Sequence, residues 1–511
     1  MRIKNSVRNT SFAFIRYFVD ITMKFAVRTV FIYTLGAQYL GLDGLFSNVL
    51  SLLSLAELGI GASIIFSMYK PVAENDQEKI KSLISFYKKA YFIIGAVVLV
   101  VGLAVLPFLP YIIKDSSDIQ FNIYLLFAIA LFNTIIGYFF AHKRTIIFAY
   151  QRNDIEQKVT LLFRVLLGAA QILILLILKN YVFYLATMPF FTLFDSLLIA
   201  YIANRRYPYI KEKGQKLESS ERNRIFKNTS ALMIHKIGSV VVFATDNIII
   251  AVFLGLTILG YYSNYALVIT SISVLLNLFC YAVRSSAGNM IAKEDKDKVF
   301  KTFNTLNFLF FWMVGFCAIS LITLSQPFIS TWIADNYRLD IITVLLLVIS
   351  FYLTASRQMV QVFKDAAGLF WQDRFKPLVE SAINIAASIL LVIYWGLPGV
   401  VLGTIISSVS TVIWVEPYVL FKHYFKRSVK SYLLKYIFFV FVTCAAGAAT
   451  YFLCGLLPSG GWRYFIAKMG ICAVLPNLIF LLCFFKTESF KYWLSLFKSM
   501  LGRKKKCEQP K

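Results

Sequence analysis

The chain of 511 residues is 59% hydrophobic and only 15% charged, against about 45–50% apolar and about a quarter charged in an ordinary globular domain. A soluble fold of that composition would expose apolar patches far larger than monomers tolerate, and a mean hydropathy of +0.70 over the whole length leaves no stretch for a large soluble domain. An excess of 52 Lys and Arg over 26 Asp and Glu, a net charge of +26, would suggest nucleic acid in a soluble chain; in a polytopic membrane protein it belongs in cytoplasmic loops.

A hydrocarbon core of about 30 Å needs about 20 apolar residues per helix. Fourteen runs qualify: 12–35, 39–68, 90–110, 121–141, 159–178, 181–203, 229–254, 256–283, 304–326, 341–362, 377–395, 398–420, 434–455 and 464–485. The expected fold class is therefore all-α, a polytopic membrane protein of about 14 helices. Residues Met1 to Arg8 are basic and precede a run too long for a cleaved signal peptide, so a retained first span is expected. Basic residues alternate across the connections: one set of segments, with Lys435 at its edge, carries 41 and the other carries 4. Lys and Arg in short loops resist translocation, so both termini are expected on the cytoplasmic side. Seven basic and seven acidic residues remain within the spans, so the net charge is a matter of topology and no nucleic-acid partner is needed to explain it.

Arg8-Asn9-Thr10-Ser11 opens the first span and Lys227-Asn228-Thr229-Ser230 opens the seventh, 219 residues later. At the same offset Leu35-Gly36 matches Leu254-Gly255, and Leu40-Gly41 matches Leu259-Gly260. Six spans separate the copies, so the repeat is parallel, as in two-lobed transporters. The predicted organisation is an N-lobe (1–203), a cytoplasmic linker (204–228), a C-lobe (229–420), a terminal helix pair (421–486) and a basic cytoplasmic tail (487–511).

Span 1 carries Arg16, Asp20, Lys24 and Arg28. A spacing of four drifts only about 40° per step, so all four lie on one stripe about 18 Å long. Each costs about 2.5–3.5 kcal/mol at mid-helix on the insertion scale, so the stripe should face a hydrated cavity or protein partners. Asp20 is placed to pair with Arg16 and Lys24, which leaves the stripe positive. Span 5 holds Arg164, span 6 Asp195, span 7 His235, Lys236 and Asp246, span 10 Arg357, and spans 11 and 12 Glu380 and Glu416. Arg164, Arg357, Glu380 and Glu416 lie near enough to the surface to snorkel, whereas Glu57 in span 2 is deep enough to need a partner. His235 aligns with Arg16 in the repeat. A basic lining calls for an anion, and phosphate or pyrophosphate suits the forked guanidinium. Tyr261 and Asn264, at the start of span 8, are a combination suited to sugar or equally to an interfacial aromatic belt.

The seven cysteines form no C-x-x-C pair and fall mostly in apolar runs, so neither a disulfide framework nor a zinc site is expected. No H-E-x-x-H, G-x-S-x-G or Walker A sequence occurs, so no cofactor and no enzymatic activity are expected. Phe490, Trp493, Leu494, Phe497 and Leu501, ahead of Arg503-Lys-Lys-Lys506, suggest an interfacial helix on anionic lipid.

Tyr39-Leu-Gly-Leu-Asp-Gly-Leu-Phe46, Leu55-Ala-Glu-Leu-Gly-Ile60, Tyr69-Lys-Pro-Val72, His235-Lys-Ile-Gly238, Thr245-Asp-Asn247 and Gly260-Tyr-Tyr-Ser-Asn-Tyr265 resemble the bacterial polysaccharide-transporter family of lipid-linked oligosaccharide flippases. That family sits in the superfamily that also holds multidrug and toxin extruders and lipid II flippases. The resemblance implies transfer of an undecaprenyl-pyrophosphate-linked oligosaccharide for capsule, exopolysaccharide or cell-wall synthesis by alternating access. Polymerase and glycosyltransferases of the same pathway would be its partners, alongside membrane lipids. Arg16, Lys24, Arg28 and Lys236, with Tyr261 and Asn264, are the candidate cavity residues; Asp20, His235 and Asp246 are the candidate coupling groups. A proton- or sodium-coupled drug exporter is the alternative, and a scaffold or polymerase a third reading. A polymerase should show a large outside loop, which the chain lacks.

Overall fold

The structure is a computed structural model that describes the backbone of residues 2–57, 60–113, 119–212, 214–458 and 460–495; some side chains within these, including 2–14 and 226–237, lie outside the description. It is all-helical. Eleven described helices are long and apolar enough to cross a bilayer, and the two arms of a kinked first helix together with the seventh span complete about fourteen. The chain forms two compact units, Met1–Ser263 and Asn264–Lys511.

The first unit begins with α1 (Arg2–Leu53), whose 52 residues are interrupted at Gly36, with φ 82° and ψ −177°. α8 (Ser219–Leu254) and α9 (Leu256–Lys293) are divided in the same way by Gly255, with φ 91° and ψ 169°. A side chain at positive φ is strained, so only glycine turns the chain here cheaply. The two breaks are 219 residues apart, the offset of the sequence repeat. The helices beyond them cross at a reciprocal contact. A Cβ on Gly41 would lie 1.9 Å from the Leu256 carbonyl oxygen, and one on Gly260 would lie 2.1 Å from that of Ala37. Both donor and acceptor positions repeat at 219, so the crossing has a local two-fold character. Small residues at such points let backbones touch where no hydrophobic force draws helices together.

Between these helices come α2 (Ile60–Glu74), α3 (Gln77–Val105), α4 (Leu109–Ile112), α5 (Ile123–Ala149), α6 (Asn153–Ile177) and α7 (Tyr181–Arg206). α6 and α7 start cleanly after short connections: the Asn180 side chain accepts from the Val182 and Phe183 amides and so caps α7. α1 packs along α6, and α5 lies between α3 and α7. Phe31 sits edge-on to Tyr184 and Tyr181, with ring centroids 4.9 and 5.9 Å away. The single run expected over 39–68 is broken: a 3-10 turn at Ser54–Glu57 ends the helix before α2 begins. Glu57, expected to need a partner at this depth, accepts a hydrogen bond from the Tyr91 hydroxyl of α3.

In the second unit α10 (Lys296–Trp332) is central. It packs against α11 (Ile341–Ser356), which is followed by the short α12 (Gln358–Ala366). α13 (Lys376–Trp395) and α14 (Leu397–Ser410) form a close hairpin. A Cβ on Gly399 would lie 2.2 Å from the Leu391 carbonyl oxygen, and the buried Ser388 hydroxyl donates to the Val400 carbonyl at 3.1 Å. The run expected over 398–420 is likewise broken, at Thr411, and continues through α15 (Val412–Val419) into a π-helical turn over Leu420–Phe425. Pro417 lies inside α15 and removes an amide from the ladder there. The terminal pair, α16 (Lys430–Gly455) and α17 (Trp462–Phe484), packs on α10. An aromatic cluster and a 2.7 Å bond from the Trp312 indole to Asn477 Oδ1 join them. Residues 488–495 are helical, while Phe497, Leu501 and Arg503 to Lys506 of the expected interfacial helix lie outside the described residues. In the loop between α10 and α11, the Ser330 hydroxyl and Arg338 hold the Asp335 carboxyl below the usual carboxylate range. The stabilisation is therefore present above that range and is lost as pH falls through the lowered value.

Candidate functional site

The charged stripe of α1 divides in two. At its start, Arg16 donates to Gln157 Oε1 at 2.9 Å and lies 3.5 Å from Glu156 and 3.8 Å from Asp20. Asp20 is met by Arg164 Nε of α6 at 2.9 Å, not by Lys24. Glu156 also takes Arg144 at 3.3 Å and the Thr160 hydroxyl at 3.1 Å, and Arg144 reaches Asp195 of α7. Three arginines thus face three carboxylates in a neutral cluster that ties α1, α5, α6 and α7 together. Arg16 and Asp20 spend their charges holding this unit together. Arg164, expected to snorkel, is part of the same brace.

The second half of the stripe is different in kind. Lys24 is exposed near the midpoint of the first span. No carboxylate lies within ion-pair distance of it among the described residues. Four residues on, the Arg28 guanidinium donates to the Ser263 hydroxyl at 2.9 Å, and the Asp43 carboxylate lies near enough to attract it. Asp43 accepts from the Tyr181 hydroxyl at 3.5 Å. Arg28 therefore sits against a neutral hydroxyl, with the Asp43 carboxylate nearby.

The remaining candidates are scattered. Asp246 is half-buried on α8; the side chains of His235 and Lys236, on the same helix, lie outside the description. Tyr261 is half-buried, and Asn264 is fully buried, which leaves it no surface for a sugar in this conformation. Its neighbour Tyr265 is structural: the hydroxyl accepts the Leu339 amide at 3.1 Å. Among the described residues no three His, Cys, Asp or Glu side chains group as metal ligands.

Sequence reasoning missed a second brace. Glu416, expected to snorkel, has a side chain only 1% exposed and accepts from Arg357 at 3.0 Å, Gln361 at 3.1 Å and Lys376. Beside it the buried Lys364 donates to the buried Asp373 at 2.8 Å. Asp373 stands 219 residues after Asp154, which is also buried and is held by Arg152 at 2.9 Å. That shared offset was the one available signal, but nothing in a single chain says which cation will close on which acid.

No protein-family profile matches the chain, and no curated protein matches it in sequence. Solved structures do match in shape. Lipid II flippase MurJ, in an inward closed conformation, is 12% identical with a TM-score of 0.67, over 94% of this chain and 99% of that one. An inward-facing multidrug resistance MATE family transporter of the MOP superfamily is 14% identical with a TM-score of 0.60, over 80% and 98%. A MOP superfamily transporter from Pyrococcus furiosus, described by a reversed polarity of its binding pocket, is 13% identical with a TM-score of 0.54, over 83% and 97%. The chain is a multi-pass membrane protein with the fold that these MOP superfamily transporters share.

Proposed function

We propose that the protein is a flippase for a lipid-linked, phosphate-bearing oligosaccharide, of the undecaprenyl-diphosphate type, in the cytoplasmic membrane of a bacterium. One observation carries the reading: Lys24 is exposed at the middle of a span and meets no carboxylate among the described residues. A lysine at that depth is too costly to face hydrocarbon; it needs water or an anion. Arg28, one turn further on and bonded to a neutral hydroxyl, adds a planar fork suited to phosphate oxygens. Arg16 and Asp20 fall out of the binding role because their charges are met within the first unit, so the cationic contribution of α1 reduces to Lys24 and Arg28. Lobe movement by alternating access is the route the fold suggests.

Drug export is the competing reading, favoured by the multidrug transporters that share the fold and by Asp246 as a half-buried acid on α8. Vesicles holding the purified protein separate the two. A labelled undecaprenyl-diphosphate-linked sugar is expected to reach the opposite leaflet while ethidium stays where it was loaded. Ion-driven ethidium export without lipid movement would replace this reading by the other.

A further inference from the structure

At the basic-loop end of the second unit, α10, α16 and the segment after α17 enclose a cavity of about 620 Å³. Three lysines line it, one from each element: Lys301, Lys435 and Lys486. All three are exposed, and none has a carboxylate within ion-pair distance among the described residues. Glu488 is the single acid among the described lining residues, against three lysines. Its wall is aromatic: Phe439 stacks on Phe311 at 5.0 Å and on Phe484 at 4.6 Å. Asn307, only 7% exposed, also lines the cavity, and its side-chain oxygen meets no hydrogen-bond donor among the described residues. A buried acceptor without a donor is costly.

These features specify a ligand. Three ammonium groups converging beside an apolar wall suit a phosphate whose hydrocarbon chain runs into the bilayer, and basic pockets between helices at this membrane depth are known headgroup sites. An ionised phosphodiester carries no donor of its own, so it cannot satisfy Asn307; a free hydroxyl next to the phosphate can. We infer that this cavity binds the headgroup of an anionic glycerophospholipid with free glycerol hydroxyls, of the phosphatidylglycerol type. The phosphate bridges the lysines and a hydroxyl donates to Asn307 Oδ1. The ligand is a lipid of the surrounding bilayer and not the transported one, because two of the three enclosing elements, α16 and the segment after α17, lie outside the repeat. The inference does not depend on the transport reading.

The test uses the full-length protein in detergent, titrated with mixed micelles of dioleoyl phosphatidylglycerol, phosphatidylmethanol, phosphatidylcholine or undecaprenyl diphosphate, with Tm as the readout. Phosphatidylglycerol should raise Tm saturably and phosphatidylcholine should not. Replacing Lys301, Lys435 and Lys486 together by Ala should weaken phosphatidylglycerol about a hundredfold, at about 1 kcal/mol per lysine. Phosphatidylmethanol has the same charge but no hydroxyl, so the wild type should bind it about fivefold more weakly, and Asn307→Leu should abolish that preference. If the triple variant does not fold, Lys486→Ala alone and Asn307→Leu still decide the matter. Unchanged affinity in the lysine variants, or an unchanged preference in Asn307→Leu, would overturn the assignment. So would displacement of phosphatidylglycerol by undecaprenyl diphosphate with the same lysine dependence, which would make the cavity a site for the transported lipid.

Discussion

Glu416→Ala is expected to cost about 3–5 kcal/mol of stability, because it strands buried cations. Arg357 and Lys376 both close on this carboxylate, and their side chains are 18% and 8% exposed. The desolvation of three charges has already been met in the folded state by their mutual attraction and by the Gln361 amide. Removing the acid leaves the penalty and takes away the compensation. Lys376→Met in the same background should recover part of the loss, since a neutral side chain of similar length no longer needs a counterion. Unfolding of the purified protein in graded SDS, followed by circular dichroism, reads both effects. A single-variant loss below about 1 kcal/mol would mean that the cations find water or another acid, and the brace would not be structural.

The second large effect belongs to the glycine crossing. Alanine at Gly41 or Gly260 puts a methyl carbon 1.9 or 2.1 Å from a main-chain oxygen. Backbone cannot swing aside as a flexible side chain does, so the helices must separate. The expected loss is at least the upper end of the usual overpacking range, about 3 kcal/mol. Because the two contacts are halves of one crossing, the double variant should cost clearly less than the two single losses combined: once the helices part, the second methyl finds room. Full additivity would show that the two glycines act independently. Ala at Gly44, whose added carbon meets nothing within 4 Å, is the control and should leave stability unchanged or improve it slightly.

Much of the architecture can be read from the residues because it depends on local properties. Apolar length marks the spans, and Gly36 and Gly255 recur at one offset because a positive φ admits little else. The breaks inside spans were hidden. Nothing in the apolar run around Ser54 distinguishes a helix that bends from one that continues, because the bend depends on what the neighbouring helix offers, as Tyr91 does for Glu57. The candidate site was half legible for the same reason. Helix geometry alone puts Arg16, Asp20, Lys24 and Arg28 on one face, but the partner of Arg16 is 141 residues away at Gln157, and the partner of Asp20 is Arg164. Only the packing of α6 along α1 shows that the first two charges are met within the first unit.

The charge of Lys24 is therefore where the account is most exposed. The deciding measurement is the rate at which proteoliposomes carry a fluorescent undecaprenyl-diphosphate-linked sugar between leaflets, for wild type, Lys24→Arg, Lys24→Ala and Lys24→Glu. If Lys24 meets the phosphate, transfer is expected near the wild-type rate for Lys24→Arg, about tenfold or more below it for Lys24→Ala from the loss of one charge-assisted contact, and undetectable for Lys24→Glu. Transfer by Lys24→Glu at the wild-type rate would contradict a binding role for this lysine.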